Sequence, residues 1–118
     1  MRLKDKFKEI RNNYVIHQAN NVKLPAFQSQ DIHRYKIIFS GRVQKVGFRL
    51  EVCTLANRLE LSGYCKNMDN GDVLAEIQGY EDRIQFLVSF MESLKRIKIT
   101  DKKIEELVLK EEKGFIQL

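Results

Sequence analysis

The sequence predicts an α+β fold, with helices on one face of an antiparallel sheet, and three features of its 118 residues carry that prediction. A glycine-flanked loop, Gly41 to Gly47, joins the apolar run Ile37-Ile38-Phe39 to a helical pattern. The dipeptide Asn70-Gly71 separates two short alternating segments, a strong hairpin signal because both central positions tolerate positive φ. A second helical stripe, Ile84, Leu87, Val88, Met91 and Leu94, follows the hairpin.

Taken in chain order, the first element is an amphipathic helix. Leu3, Phe7, Ile10 and Tyr14 recur at steps of four, three and four, with Lys4, Lys6, Lys8 and Arg11 around the other sides. Pro25 interrupts any helix, and residues 25–30 read as a polar linker. Residues 1–33 are therefore set apart as an extension of helix plus linker, ahead of a domain spanning 34–118. The apolar row needs a partner surface. The expectation is that it covers the open face of its own sheet or of a neighbour's, the second case making a homo-oligomer; attachment to a membrane surface and disorder are the alternatives. Deleting residues 1–30 is expected to change oligomeric state or solubility and to leave the chemistry intact.

Arg34 to Phe39 reads as the first strand. A helix follows over about Phe48–Leu61, its stripe Phe48, Val52, Leu55, Ala56 and Leu59 suited to packing on a sheet. Tyr64–Met68 and Asp72–Gln78 form the hairpin, and in the second strand Val73, Ala75 and Ile77 make one face fully apolar. Glu81 and Asp82 open the next helix, which ends near Lys95. Ile104–Leu109 fits a helical turn or an edge strand equally well.

The net charge of +5 raises nucleic acid as a partner, but residues 1–33 hold six Lys/Arg against three Asp/Glu, while residues 34–118 hold fifteen against thirteen. A domain so nearly balanced lacks the basic face that neutralising many phosphates requires, so no nucleic-acid partner is expected. RNA-recognition domains would also expose aromatics on the central strands, and residues 73–78 have none. No segment approaches the roughly 18 apolar residues of a membrane span. The two cysteines, Cys53 and Cys65, form no CxxC pair and lie in no His-rich neighbourhood, so no metal site is expected. The basic N-terminus has no apolar run after it, which favours the reducing cytoplasm; a disulfide stays open.

The loop carries the chemistry. A helix start offers free N–H groups and the positive end of a macrodipole, and glycines let the chain close around an oxyanion. Arg42, Lys45 and Arg49 add cations there with no acid before Glu51, an arrangement that makes electrostatic sense if an anion, inferred to be phosphate, completes it.

The run Gly41-Arg42-Val43-Gln44-Lys45-Val46-Gly47-Phe48-Arg49 resembles the acylphosphatase signature GRVQGVGFR, differing at one position of nine, and Gly63-Tyr64-Cys65-Lys66-Asn67 looks like that family's second motif. The resemblance covers about Arg34 to Leu118, including a final strand like Phe115-Ile116-Gln117-Leu118. It decides Ile104–Leu109 as a strand. The order becomes βαββαβ, the split βαβ of a ferredoxin-like sandwich with two helices on one face of the sheet, plus the N-terminal amphipathic helix. It also implies hydrolysis of small acyl phosphates without metal or cofactor. Arg49 would grip the phosphoryl group with the loop Gln44, Lys45, Val46, Gly47 and Phe48, and Asn67 would position a water. Lys45 stands where the family has glycine. If that position needs positive φ, lysine adds a strain of about 1–2 kcal/mol or reshapes the cradle. The alternative is therefore a catalytically impaired anion-binding module of the same fold. The side chains of Gln44 and Arg42 are expected to face solvent or a partner, and Glu105 and Glu106 to protect a sheet edge.

Overall fold

A computed structural model describes residues 2–118. Its elements run α1 (Leu3–Asn21), β1 (Ile32–Arg42), α2 (Phe48–Arg58), β2 (Ser62–Asn67), β3 (Val73–Tyr80), α3 (Glu81–Ser93), β4 (Lys98–Leu107) and β5 (Phe115–Gln117). The five strands lie in the order β4-β1-β3-β2-β5, antiparallel except for the β2–β5 pair. This is the ferredoxin-like order that the sequence predicts, with α1 added.

One face of the sheet makes the core. Tyr35, Ile37 and Phe39 sit opposite Ile77, Ala75 and Val73, and Cys65 pairs with Ala75 on the far side. The stripes on α2 and α3 close over them: Phe48, Val52, Leu55 and Ala56 are buried, with Leu59 just past the end of α2, as are Ile84, Leu87 and Met91, with Leu94 just past the end of α3. The other face is polar at its centre. Arg34, fully buried there, donates from Nε and Nη2 to Glu76 Oε1 (3.1 and 3.0 Å) and from Nη1 to Glu112 Oε1 (2.9 Å). The chain after β4 returns across this face, and Lys110 exchanges two hydrogen bonds with the Gln78 side chain.

Several boundaries differ from expectation. Helix α2 stops at Arg58, where the chain turns through Glu60 in a left-handed conformation (φ 58°), so Leu59 and Leu61 point inward from a turn. Strand β4 begins at Lys98, well before Ile104, because it follows β1 past a bulge at Ser40/Gly41. Glu105 and Glu106 lie on this edge strand, reaching Lys36 (3.2 Å) and His33 (3.0 Å) on β1.

The main correction concerns α1. The expected apolar row is the outward one: Leu3, Phe7, Ile10 and Tyr14 are 55–69% exposed, and Val15 and Ala19 are buried in their place. The helix does not cover the open face of the sheet; it lies against α2 and the loop before it. Arg58 fixes its end, donating from Nη1 to the carbonyls of Ala19 (2.7 Å) and Val22 (2.9 Å), groups that a helix end leaves without partners. Nor is the linker loose. The amides of Gln28 and Ser29 donate to Asp82 Oδ2 (2.8 and 2.9 Å), and Phe27 meets Phe86 edge-on at 5.8 Å. Among the described residues, no helix is long and apolar enough to cross a membrane.

Candidate active site

The loop between β1 and α2 is pinned at both ends by apolar side chains. Val43 is buried, and Phe48 packs on Phe39 with ring centroids 5.1 Å apart. Between these anchors, Lys45 (φ 64°) and Gly47 (φ 78°) are left-handed, whereas Val46 is not. Alternation of this kind curls successive amides around a concavity that accepts anions. Holding lysine there costs about 1–2 kcal/mol, which the surroundings must offset.

They do so by gripping carbonyls. Arg11 Nη1 donates to Lys45 O (3.1 Å) and Arg96 Nε to Val46 O (2.8 Å). In a trans peptide the C=O and N–H point opposite ways, so the second contact turns the Gly47 N–H away from Arg96. Gln44 Nε2 donates to Met68 O and Asp72 O, both at 2.8 Å, fastening the loop to the β2–β3 hairpin. The Gln44 side chain thus faces inward, contrary to the expectation of solvent or a partner.

Above the loop lies a cleft of about 800 Å³. Lys45, Gly47, Phe48 and Arg49 form its floor, Asn67 and Gln117 one side, and Lys4, Lys8 and Arg11 of α1 the other. Arg49 and Asn67, from separate elements, therefore share one cavity. Gln44 and Val46, the other two residues expected in the loop site, lie outside the lining. Arg49 donates from Nη1 to the main-chain oxygen of Leu118 over 2.6 Å, and among the described residues its other donors have no partner.

Neither cysteine offers a nucleophile. Cys65 is buried and its thiol is pushed up to about 12 by burial, against an opposing pull from Arg49, so it stays protonated at neutral pH. Burial also raises Cys53, whose Sγ donates to Phe115 O, and both cysteines are free.

Residues 35–116 match the family model described as acylphosphatase. The chain belongs to the acylphosphatase family. It is 41% identical over 83 residues to an acylphosphatase of Bacillus licheniformis, a match covering 70% of this chain and 90% of that one. Among solved structures, the acylphosphatase of Bacillus subtilis superposes with a TM-score of 0.68 at 34% identity, covering 73% of this chain and 98% of that one. An acylphosphatase of Coxiella burnetii gives 0.69 at 27% identity, over 79% and 100%.

Within this acylphosphatase framework, three supports escape sequence reasoning. Arg96 lies fifty positions from Val46, yet it also donates to Gln18 Oε1 (2.8 Å) and Glu51 Oε1 (2.5 Å), joining α1, the loop and α2. Burial pushes the Glu51 carboxyl up, opposed by Arg96. Glu51 could have been found, since it is the first acid after a run of cations; nothing local marks Arg96. Arg11 reads in the sequence as one basic residue of a polar helix face. The deeper face, Lys4, Lys8, Arg11, Val15 and Ala19, has helical spacing too, but only its last two members are apolar.

Proposed function

We propose that the protein hydrolyses the carboxyl–phosphate bond of small acyl phosphates to carboxylate and inorganic phosphate. The catalytic unit is residues 34–118, with 1–33 as an added wall. The loop amides and Arg49 hold the phosphoryl oxygens, because a planar guanidinium makes paired hydrogen bonds to such oxygens and stays ionised. The Asn67 carboxamide accepts a hydrogen bond from water and directs its oxygen at phosphorus. Water oxygen bonds to phosphorus as the bond to the carboxylate oxygen breaks, and the water's proton leaves on the phosphate. The departing carboxylate belongs to an acid of pKa about 4–5, so it needs no proton and no Lewis acid to leave. Orientation and charge stabilisation are the remaining tasks.

The observation that carries this reading is the opening of Arg49 and Asn67, one from α2 and one from β2, into the same cleft over a left-handed loop. Steady-state hydrolysis of benzoyl phosphate, with inorganic phosphate as competitor, tests it. Arg49→Ala is expected to lower kcat/KM at least a hundred- to a thousandfold, the weight of one oxyanion donor, and Asn67→Ala to lower kcat with little change in KM. Absence of turnover by the native protein overturns it. The strained Lys45 favours one second reading, an anion-binding module without turnover, which phosphate protection without hydrolysis would establish.

Two coarser readings accompany this one. The exposed row Leu3, Phe7, Ile10 and Tyr14 supports association of two copies through α1, tested by sedimentation at several concentrations. The unpaired cysteines support a reducing, cytoplasmic setting.

A further inference from the structure

A phosphoryl group occupies a small part of a cleft of about 800 Å³, a volume within the range of sites that enclose whole ligands. The lining is one-sided in charge. Lys4, Lys8, Arg11, Lys45 and Arg49 face it, and the single acid, Asp5, already has Arg2 at 3.8 Å. Some of these cations are committed: Arg49 to the phosphoryl group, on the reading above, and Arg11 to Lys45 O and to Asn12 Oδ1 at 3.2 and 2.9 Å. Lys4 and Lys8, one turn apart on α1, have no carboxylate within salt-bridge distance among the described residues.

The helix that carries them is fixed in place. Val15 is buried against Gly47, Gln18 accepts from Arg96, and Arg58 holds the carbonyls at its end. From Val15 backwards, the same helical face turns from small and apolar to cationic as it passes from the core to the cleft. Lysines carried on an anchored helix bind an anion at lower cost than lysines on a loose segment, because the backbone ordering is met when the protein folds.

We propose that α1 builds a second anion subsite, with Lys4 and Lys8 receiving a carboxylate or phosphate on the acyl portion of the substrate. The preferred substrates are then acyl phosphates with an additional negative group at the end remote from the scissile bond. This rests on the hydrolytic reading above for turnover, but not for binding.

The test compares benzoyl phosphate with 3- and 4-carboxybenzoyl phosphate, and with 4-carbamoylbenzoyl phosphate as the neutral analogue. A carboxy isomer should show kcat/KM about tenfold above the neutral pair, the scale that two solvent-accessible lysines supply. The preference should shrink from 50 to 500 mM salt and fall close to one in the Lys4→Gln/Lys8→Gln variant. Calorimetry with benzylphosphonate and 3- and 4-carboxybenzylphosphonate reads the same preference without turnover. Equal binding of these phosphonates by the native protein, or a preference untouched by the double substitution, overturns the subsite. Retained phosphonate preference without hydrolysis of any acyl phosphate leaves the subsite standing and sinks the hydrolytic reading alone.

Discussion

Gln44 Nε2 sits between the carbonyl oxygens of Met68 and Asp72, 2.8 Å from each, and so ties the loop between β1 and α2 to the hairpin whose first strand ends in Asn67. One side chain thus reinforces, beside the β1–β3 and β2–β3 ladders, the spacing between the loop and the strand of Asn67. Gln44→Ala leaves two half-enclosed carbonyls without this donor, a loss of about 1–3 kcal/mol. With Asn67 positioning the attacking water, as proposed, kcat should drop more than KM rises. Equal changes in both would mean that Asn67 is held by its own strand. Urea unfolding and steady-state rates on benzoyl phosphate read the two effects.

Lys45→Gly exchanges one cost for another. Relief of the left-handed conformation contributes about 1–2 kcal/mol, and the freer unfolded chain of glycine takes back about 0.5–1. The variant should come out more stable by about 0.5 kcal/mol, visible as a small rise in denaturant midpoint. Its kcat should stay within a few-fold of the native value.

A side chain at position 47 meets α1 at once. A Cβ there would lie 2.8 Å from Val15 Cγ2, on a backbone already at φ 78°. Gly47→Ala should destabilise by about 2 kcal/mol, combining contact and conformational strain. Val15→Ala in the same chain removes the contact and leaves the φ penalty. The two substitutions together should therefore cost less than their separate effects added, by 0.5 kcal/mol or more in a double-mutant cycle.

The buried cluster on the polar face sets part of the acid stability. Burial pushes the Glu76 carboxyl up, but the Tyr64 hydroxyl (2.5 Å) and Arg34 outweigh it, and the net pKa lies below the ordinary 4.5. A depressed carboxyl contributes stability that is present above its unfolded pKa and lost as pH falls through the folded one. Glu76→Gln should thus lower stability at pH 7 and weaken its dependence on pH below about 4.5. Urea midpoints at pH 7 and pH 3.5 decide it; parallel declines in the two proteins would assign the acid sensitivity elsewhere.

The legible parts of this chain are those where one short window determines the outcome. Phe48, Val52, Leu55, Ala56 and Leu59 bury as their spacing predicts, and Asn70-Gly71 turns the hairpin, with Gly71 at φ 96°. The two motifs likewise bring Arg49 and Asn67 to one cleft. What periodicity could not rank was two competing faces of α1. The face with larger apolar groups was the natural choice, yet the helix approaches Gly47 through Val15 and buries the small Ala19 near its end, where Arg58 of α2 holds the Ala19 carbonyl, so steric fit overrides hydrophobic area. Arg96 was hidden for another reason: its three acceptors come from three elements that only the finished fold brings together.

Asp82 also decides what shortening this polypeptide would mean. Its carboxylate sits at the start of α3 and takes up two amides from the stretch that follows Pro25, while Phe27 shields the edge of Phe86. Trimming to the length of the short relatives would bare an aromatic ring, strip an acid of two main-chain donors and leave the crown of Gly47 uncapped. The leading thirty residues have become part of the masonry, and a trimmed version should melt earlier as well as select its substrates less sharply.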